Sequence, residues 1–158
     1  MRNFDASSII YAWDNYPILQ FPKLWEWIDA EIQAKEFSIS GIAFEEVKGK
    51  TPECAQWLTN VEILKISITN LILDEALRIQ GLLGIQNDQY GSGVGENDIL
   101  IIATAKIEGV DLISDENKQP NLPENMKKYK IPAVCALPSV QVGSLNFLEL
   151  IKNSGSTF

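Results

Sequence analysis

Short apolar runs alternate along this chain with segments of helical period, and that alternation limits the possible folds more than any other feature. Asn3–Ile10 mixes apolar and small residues and reads as an N-terminal strand. Phe37–Ser40, Val61–Ile68, Val110–Ser114 and Ile131–Cys135 are the later strand candidates; the second carries Val61, Ile63, Ile66 and Ile68 as its apolar set. Between them lie helical patterns. Lys23–Lys35 places Leu24, Trp27, Ile28 and Ile32 on one side, and Ile42–Lys50 follows the break at Gly41. Thr51-Pro52 reads as a helix start, with Thr as cap and Pro at the first helical position. Leu71–Ile85 repeats apolar residues at Leu73, Ala76, Leu77 and Leu83, while Asp98–Glu108 is apolar nearly all round and Gly143–Ile151 reads as a last helix. Asn87–Gly95 is a polar, glycine-rich connection, expected to be a mobile entry to the Asp98 helix. Asn117–Tyr129 is a loop with at most one helical turn. Strands and helices alternating at this pace mean a largely parallel sheet covered on both faces, with right-handed crossovers.

The 158 residues suit one domain with a sizeable core, expected over 1–153, with 154–158 as a flexible C-terminal tail. No apolar run approaches the ~20 residues that a membrane helix needs. The start, up to Pro17, lacks the apolar stretch of a signal peptide. Cys54 and Cys135 stand at no ligand-like spacing and read as two buried thiols in a reducing compartment. The expectation is a cytoplasmic protein.

Chemistry is limited by what is missing. The chain has no histidine, and its 13 basic against 21 acidic residues leave a charge of −8. Serine–histidine and cysteine–histidine nucleophile pairs, zincin sites and histidine-containing zinc deaminase sites are excluded. The remaining routes are carboxylates around a hard cation, lysine or cysteine chemistry, or no chemistry.

The acids fall where such a site could form. Ligands of an open parallel sheet bind beyond the carboxyl ends of its strands, where the strand order switches direction. Asp5 lies at the first strand, Asp98 opens the apolar helix, and Asp115-Glu116 follow Val110–Ser114 directly. Glu45 and Glu46 lie one turn into the helix after the second strand. Each has a plain structural reading as well: a strand-end cap for Asp5, an N-cap for Asp98, a turn for Asp115-Glu116 and a solvated face for Glu45 and Glu46. Their joint placement at one sheet edge points to a shared divalent cation, Mg²⁺ or Mn²⁺, bound by oxygen.

Several segments resemble the PIN-domain ribonucleases, in particular a branch with an opening of the form Phe-Pro-x-Leu-Trp. The matching residues are Asp5-Ala6-Ser7, Tyr16-Pro17, Phe21-Pro22 with Leu24-Trp25, and the ending Lys130–Cys135. Asp98-Ile99-Leu100-Ile101-Ile102-Ala103-Thr104-Ala105 is similar to the helix that opens on the family's third acid. Leu112-Ile113-Ser114-Asp115-Glu116 is similar to its fourth site; the usual spacing selects Glu116, with Asp115 one step early. The resemblance implies a three-layer α/β/α sandwich and a Mg²⁺- or Mn²⁺-dependent endoribonuclease like the VapC toxins of toxin–antitoxin pairs. Asp5, Asp98 and Glu116 or Asp115 would hold the metal, with Glu46 ligating or orienting a water. Ser7 and Ser114 would brace the carboxylates, and Glu45 and Glu96 are possible additional acids. Implied partners are RNA, a protein antitoxin and a second copy of the chain.

Lys118, Lys127, Lys128 and Lys130 against Glu124 give residues 118–130 a local charge of 4 − 1 = +3, a candidate RNA contact. The aromatic group Tyr11, Trp13, Tyr16, Trp25 and Trp27 reads chiefly as core packing, with base stacking as the functional option. Gly91–Gly95 matches neither the Walker nor the dinucleotide fingerprint. The competing reading of the acids is a non-catalytic PIN-like or receiver-like module that binds Mg²⁺ or a protein partner. A receiver would want adjacent acids after the first strand, where Asp5 stands alone, and a haloacid-dehalogenase phosphatase would want an acid where Ser7 stands.

Overall fold

The computed structural model describes all residues, Met1–Phe158. Five parallel strands form one sheet in the order β3-β2-β1-β4-β5: β1 Arg2–Phe4, β2 Phe37–Ser40, β3 Leu64–Ile66, β4 Asp111–Ile113 and β5 Ser144–Leu145. The helices are α1 Ala6–Asn15, α2 Pro22–Gln33, α3 Gly41–Lys50, α4 Pro52–Asn60, α5 Asn70–Leu82, α6 Glu96–Glu108, α7 Ile131–Cys135 and α8 Phe147–Ser154. Helices cover the sheet on both sides, so the architecture is the expected α/β/α sandwich. In register, Phe4 lies opposite Ile39 and Ile113, all fully buried on one face. Burial of each such side chain stabilises the fold by about 1.5–3 kcal/mol. No helix is long and apolar enough to cross a membrane.

The central strand is much shorter than the sequence pattern suggested. It ends at Phe4, and residues 6–15 are helical rather than extended. Local hydrogen bonds explain the change. Asp5 stays extended at the helix cap, and Ser8 Oγ donates to the Asp5 carbonyl at 2.8 Å and to the Ile113 carbonyl at 2.7 Å. The small residues Ala6-Ser7-Ser8 thus form a first helical turn and not a strand exit.

The C-terminal part departs further. Ile131–Cys135 is a helix, not a strand. Pro132 sits in its first turn, where its missing N–H is harmless, whereas in an inner strand it would break a ladder bond. The fifth strand is Ser144–Leu145, within the segment expected to be helical, and α8 begins only at Phe147. Asn146 stops the strand and caps the helix, its Oδ1 accepting from the Glu149 N–H at 2.8 Å. That helix runs to Ser154, and the Phe158 ring lies 5.2 Å from the Trp27 ring.

Smaller shifts have local causes. Helix α3 starts at Gly41 itself because Ser40 Oγ accepts from the Ala43 N–H. Only Leu64–Ile66 of Val61–Ile68 is strand, an edge that pairs with β2 alone. Helix α5 and its cap bury Ala76 and Leu83 as expected, but Ile72 and Ile79 take the core positions expected for Leu73 and Leu77, which are exposed. Thr51 precedes α4 as expected but makes no side-chain cap. The glycine-rich connection is tied down: Gly93 and Val94 N–H groups donate to the Lys127 and Tyr129 carbonyls at 3.1 and 2.9 Å. A side chain at Gly93 would run into the backbone of Lys127–Tyr129, so only glycine permits this approach.

Candidate functional site

Strand order reverses direction at β1, whose neighbours are β2 on one side and β4 on the other. Asp5 follows β1 and Ser114-Asp115-Glu116 follow β4, which brings residues 109 apart in sequence to one crevice. Asp5 is 3% exposed and Ser114 likewise 3%. Asp5 Oδ2 accepts from Ser7 Oγ at 2.5 Å and from Ser114 Oγ at 2.9 Å. The two hydroxyls then accept in turn, Ser7 from the Asp115 N–H at 2.9 Å and Ser114 from the Glu116 N–H at 3.3 Å. Each serine therefore fixes the Asp5 carboxylate to the backbone of the next acids.

Two helices complete the crevice. Helix α3 carries Glu46, half-buried, whose Oε1 accepts from Asn97 Nδ2 at 3.3 Å. Helix α6 begins at Glu96, two residues earlier than the sequence suggested, so Asp98 is its third residue. Asp98 Oδ2 accepts from the Gly95 N–H at 2.9 Å, closing the first turn. Asp98 is thus a helix-capping residue whose charge also bears on the crevice.

The electrostatics tie these carboxylates together. Burial holds Asp5 above the usual carboxylate range, the charge of Asp98 pushes it further, and the serine hydroxyls pull it down. Glu46 is raised by burial and by Asp5 and Asp98, and Glu116 by burial and by Asp98 and Asp5. The opposing cations are Lys50 for both glutamates and Lys130 for Glu116. Lys50 stands one helical turn beyond Glu46 on α3, and Lys130 Nζ donates to the Ser92 carbonyl at 2.9 Å. None of the crevice carboxylates is in an ion pair.

Asp115 and Glu116 differ in what they touch. Asp115 Oδ1 accepts from the Phe147 N–H at 2.9 Å, tying β4 to the start of α8. Its carboxyl is raised by burial and by Asp5 and Glu149, against that N–H. The Glu116 side chain has no hydrogen-bond partner within the protein and faces the charges of Asp5 and Asp98.

Other candidates lie elsewhere. Glu45 is exposed, while Glu96 is exposed and raises Tyr90 through its charge, on the α5 side of α6. Lys118 pairs with Glu149 on α8. Lys127 and Lys128 form a single 3-10 turn. Lys50 and Asn97 were not singled out from the sequence; the signals for them were the i,i+4 spacing from Glu46 and adjacency to Asp98.

The donor chemistry fits a hard divalent cation: oxygen only, from four separate elements, with surplus negative charge. The side chains do not form a ligand set as they stand, since no three acidic or cysteine groups are gathered closely enough to hold a metal.

Cysteine chemistry is not available at this site. Burial pushes both thiols up to about 12. Neither should react with iodoacetamide at pH 8 in the folded chain, and both should react in guanidinium chloride. Labelling of either thiol without unfolding would contradict their inertness.

A five-stranded parallel sheet between helices, with carboxylates at its switch point, is an open α/β/α sandwich. The chain belongs to the family described as "Domain of unknown function (DUF4411)", which matches residues 3–158. Comparison with curated proteins found no match. Among solved structures, the chain is similar to one in the crystal structure of VapBC2 from Rickettsia felis bound to a DNA fragment from their promoter. That match has 18% identity and a TM-score of 0.53, covering 92% of this chain and 97% of the other. It is also similar to a chain of a toxin–antitoxin complex from Klebsiella pneumoniae, at 19% identity and a TM-score of 0.50, covering 78% and 93%. At these identities the likeness is one of fold.

Proposed function

We propose that this chain is a divalent-metal-dependent endoribonuclease and the toxin of a toxin–antitoxin pair, acting in the cytoplasm. The observation that carries the reading is that the charges of Asp5 and Asp98 bear on each of Glu46 and Glu116, and that of Asp98 on the buried Asp5, with no ion-paired cation among the four. The fold shared with chains of two toxin–antitoxin complexes supports it.

Asp5, Asp98 and Glu116 would hold Mg²⁺ or Mn²⁺, with Glu46 at its side. Such a cation supplies an acidified water and charge stabilisation for a phosphodiester under attack. The protein does the rest. Ser7 and Ser114 lock the rotamer of Asp5, and bracing of this kind is what keeps a ligand carboxylate aimed. Glu46, raised above the usual range and steadied by Asn97, can take a proton from the attacking water. Lys50 and Lys130 bring positive charge to the rim of an otherwise acidic site and position the substrate backbone.

The direct test is cleavage of labelled single-stranded RNA by the purified chain. Activity should require Mg²⁺ or Mn²⁺, stop with EDTA and be lost in Asp98→Ala. Absence of any metal-dependent cleavage would leave the crevice as a protein-binding surface. Two side chains that the sequence leaves level should then separate. Glu116→Gln should lower kcat/KM by on the order of 100-fold, as for loss of a metal-site group. Asp115→Asn keeps an oxygen for the Phe147 N–H and should stay within a few-fold of wild type. Equal losses would assign a shared role to the pair. Lys50→Ala should raise KM and reduce the slope of log binding against log salt by about one. An unchanged slope would remove Lys50 from the substrate path. The antitoxin would cover the acidic crevice, and the active form would be a homodimer, which light scattering of the isolated chain checks.

A further inference from the structure

Two opposite charges line one cavity at the end of the sheet away from the carboxylates, and neither has an ion-pair partner. The cavity measures about 260 Å³ and lies between the start of β1, helix α2 and the last turns of α8. Arg2 and Glu31 stand in its wall with Trp27, Leu150, Asn153 and Ser156. Arg2 Nε is buried with no hydrogen-bond partner, and the guanidinium is in no ion pair. Glu36 feels the charge of Arg2 but is taken by the N-terminal amine at 2.8 Å. Glu31 is half-buried and likewise in no ion pair.

The walls are fixed by packing and local bonds. The Trp27 ring meets Phe37 edge-on at 5.5 Å and Phe158 at 5.2 Å. Beyond α8, Gly155 takes φ +68°, which glycine adopts freely, and the chain turns so that Ser156 reaches the cavity. Ser154 Oγ clamps this turn: it donates to the Ile151 carbonyl at 2.7 Å and accepts from the Ser156 N–H at 3.1 Å. The chemistry of the wall defines what fills it. Arginine only donates, so its partner must bring acceptor oxygens, and a carboxylate matches the guanidinium fork. An ionised carboxylate only accepts, so Glu31 calls for a donor, best a cation. The carboxyl end of α8 also favours positive charge. Trp27 and Leu150 offer apolar surface beside the two charges. A polyphosphate would meet Glu31 as a like charge, whereas a molecule carrying both charges would not be repelled by either residue.

We propose that this cavity binds a small zwitterion, an α-amino acid with an apolar side chain. Its carboxylate would lie on Arg2, its ammonium towards Glu31 and its side chain against Trp27 and Leu150. The site shares no residue with the carboxylate crevice and stands whether or not the chain cleaves RNA.

The test is isothermal titration calorimetry of the full chain with L-leucine and L-phenylalanine, which should bind in the millimolar range or tighter. Isoamylamine lacks the carboxylate of leucine and isocaproate lacks its ammonium. Each should bind roughly ten- to hundredfold more weakly than leucine, the range for loss of a charged hydrogen bond. Leucine should lose affinity to the same extent in Arg2→Gln and in Glu31→Gln. Inorganic phosphate should bind no better than isocaproate. Thermal melting checks that each variant is folded, and Glu31→Gln with the two analogues keeps the test open if Arg2→Gln disturbs β1. A folded wild-type chain that takes up neither leucine nor phenylalanine would overturn the assignment. So would phosphate that binds as tightly as leucine and tighter still in Glu31→Gln, the mark of a simple anion site. Strong coupling between Arg2→Gln and Glu31→Gln in melting temperature would also overturn it, by showing that the two residues pair directly.

Discussion

Asp5→Asn should reduce metal-dependent RNA cleavage by about a thousandfold and leave the folded chain no less stable at pH 7. The first half follows from position. Asp5 is the carboxylate at the centre of the crevice, and its charge reaches Glu46, Asp115 and Glu116. Removing that charge takes away several kcal/mol of transition-state stabilisation, and 1.36 kcal/mol is tenfold in rate. The second half follows from burial. A carboxylate that is 3% exposed, beside other acids and without an ion pair, is a burden on the fold when charged. Asparagine keeps an oxygen to accept from Ser7 and Ser114, so the bracing survives in part. Cleavage assays and thermal melts on one preparation check both halves. Retained activity would dismiss Asp5 from the site, and a large loss of stability would show that its charge is structural.

Divalent metal should stabilise the wild-type chain strongly at neutral pH and little at pH 5. Asp5, Glu46, Asp115 and Glu116 all have folded-state values raised above their ordinary ones of 3.8 to 4.5, with burial as the first cause. For a raised acid the folded state binds protons more tightly than the unfolded chain. Its stabilising contribution is complete below the unfolded value and is lost as pH rises through the folded value. In EDTA the crevice acids should thus favour unfolding increasingly from about pH 4 towards neutrality. Glu36, lowered by its pairing with the N-terminal amine, acts in the opposite sense from an exposed position. The stability gap between wild type and Asp5→Asn should accordingly narrow as pH falls. A bound cation relieves the same repulsion. At one hundred times its dissociation constant, Mn²⁺ adds about 2.7 kcal/mol, or roughly 5–10 °C in melting temperature for a chain of this size. Protons compete with it at low pH. A melting temperature indifferent to millimolar Mn²⁺ at pH 7.5, or equally raised in Asp5→Asn, would rule out the carboxylate site as the place of binding.

Much of the middle of the fold was readable because the relevant signals are local. Phe37–Ser40 is a strand with the expected limits, and α2 and α6 are set by apolar spacing within one segment. The terminal elements were not readable in the same way. Three residues suffice for β1 and two for β5, too few for a period-two pattern to be visible. These strands exist because neighbours hold them: Arg2 to Phe4 pair on both sides, and Ser144-Leu145 pair with Leu112-Ile113. Ile131–Cys135 has the β-branched composition of a strand, yet Pro132 and its packing make it a helical turn.

By itself the sequence determined which chemistries are closed to this protein. A chain with no histidine has no imidazole base or ligand, because side-chain identity decides donor type, and its carboxylates next to apolar strand and helix starts are the oxygen donors left to it. It also determined the alternation that makes a parallel sheet. Only the tertiary structure decided which acids share a crevice. Sheet order sets β4 beside β1, and that pairing is a long-range contact with no local signature. It brings Ser114 to Asp5 and turns Asp115 towards α8 while leaving the Glu116 side chain without a hydrogen-bond partner in the protein. The same long-range packing separated the buried Trp25 from the exposed ring of Phe21, a distinction that spacing along a chain cannot express.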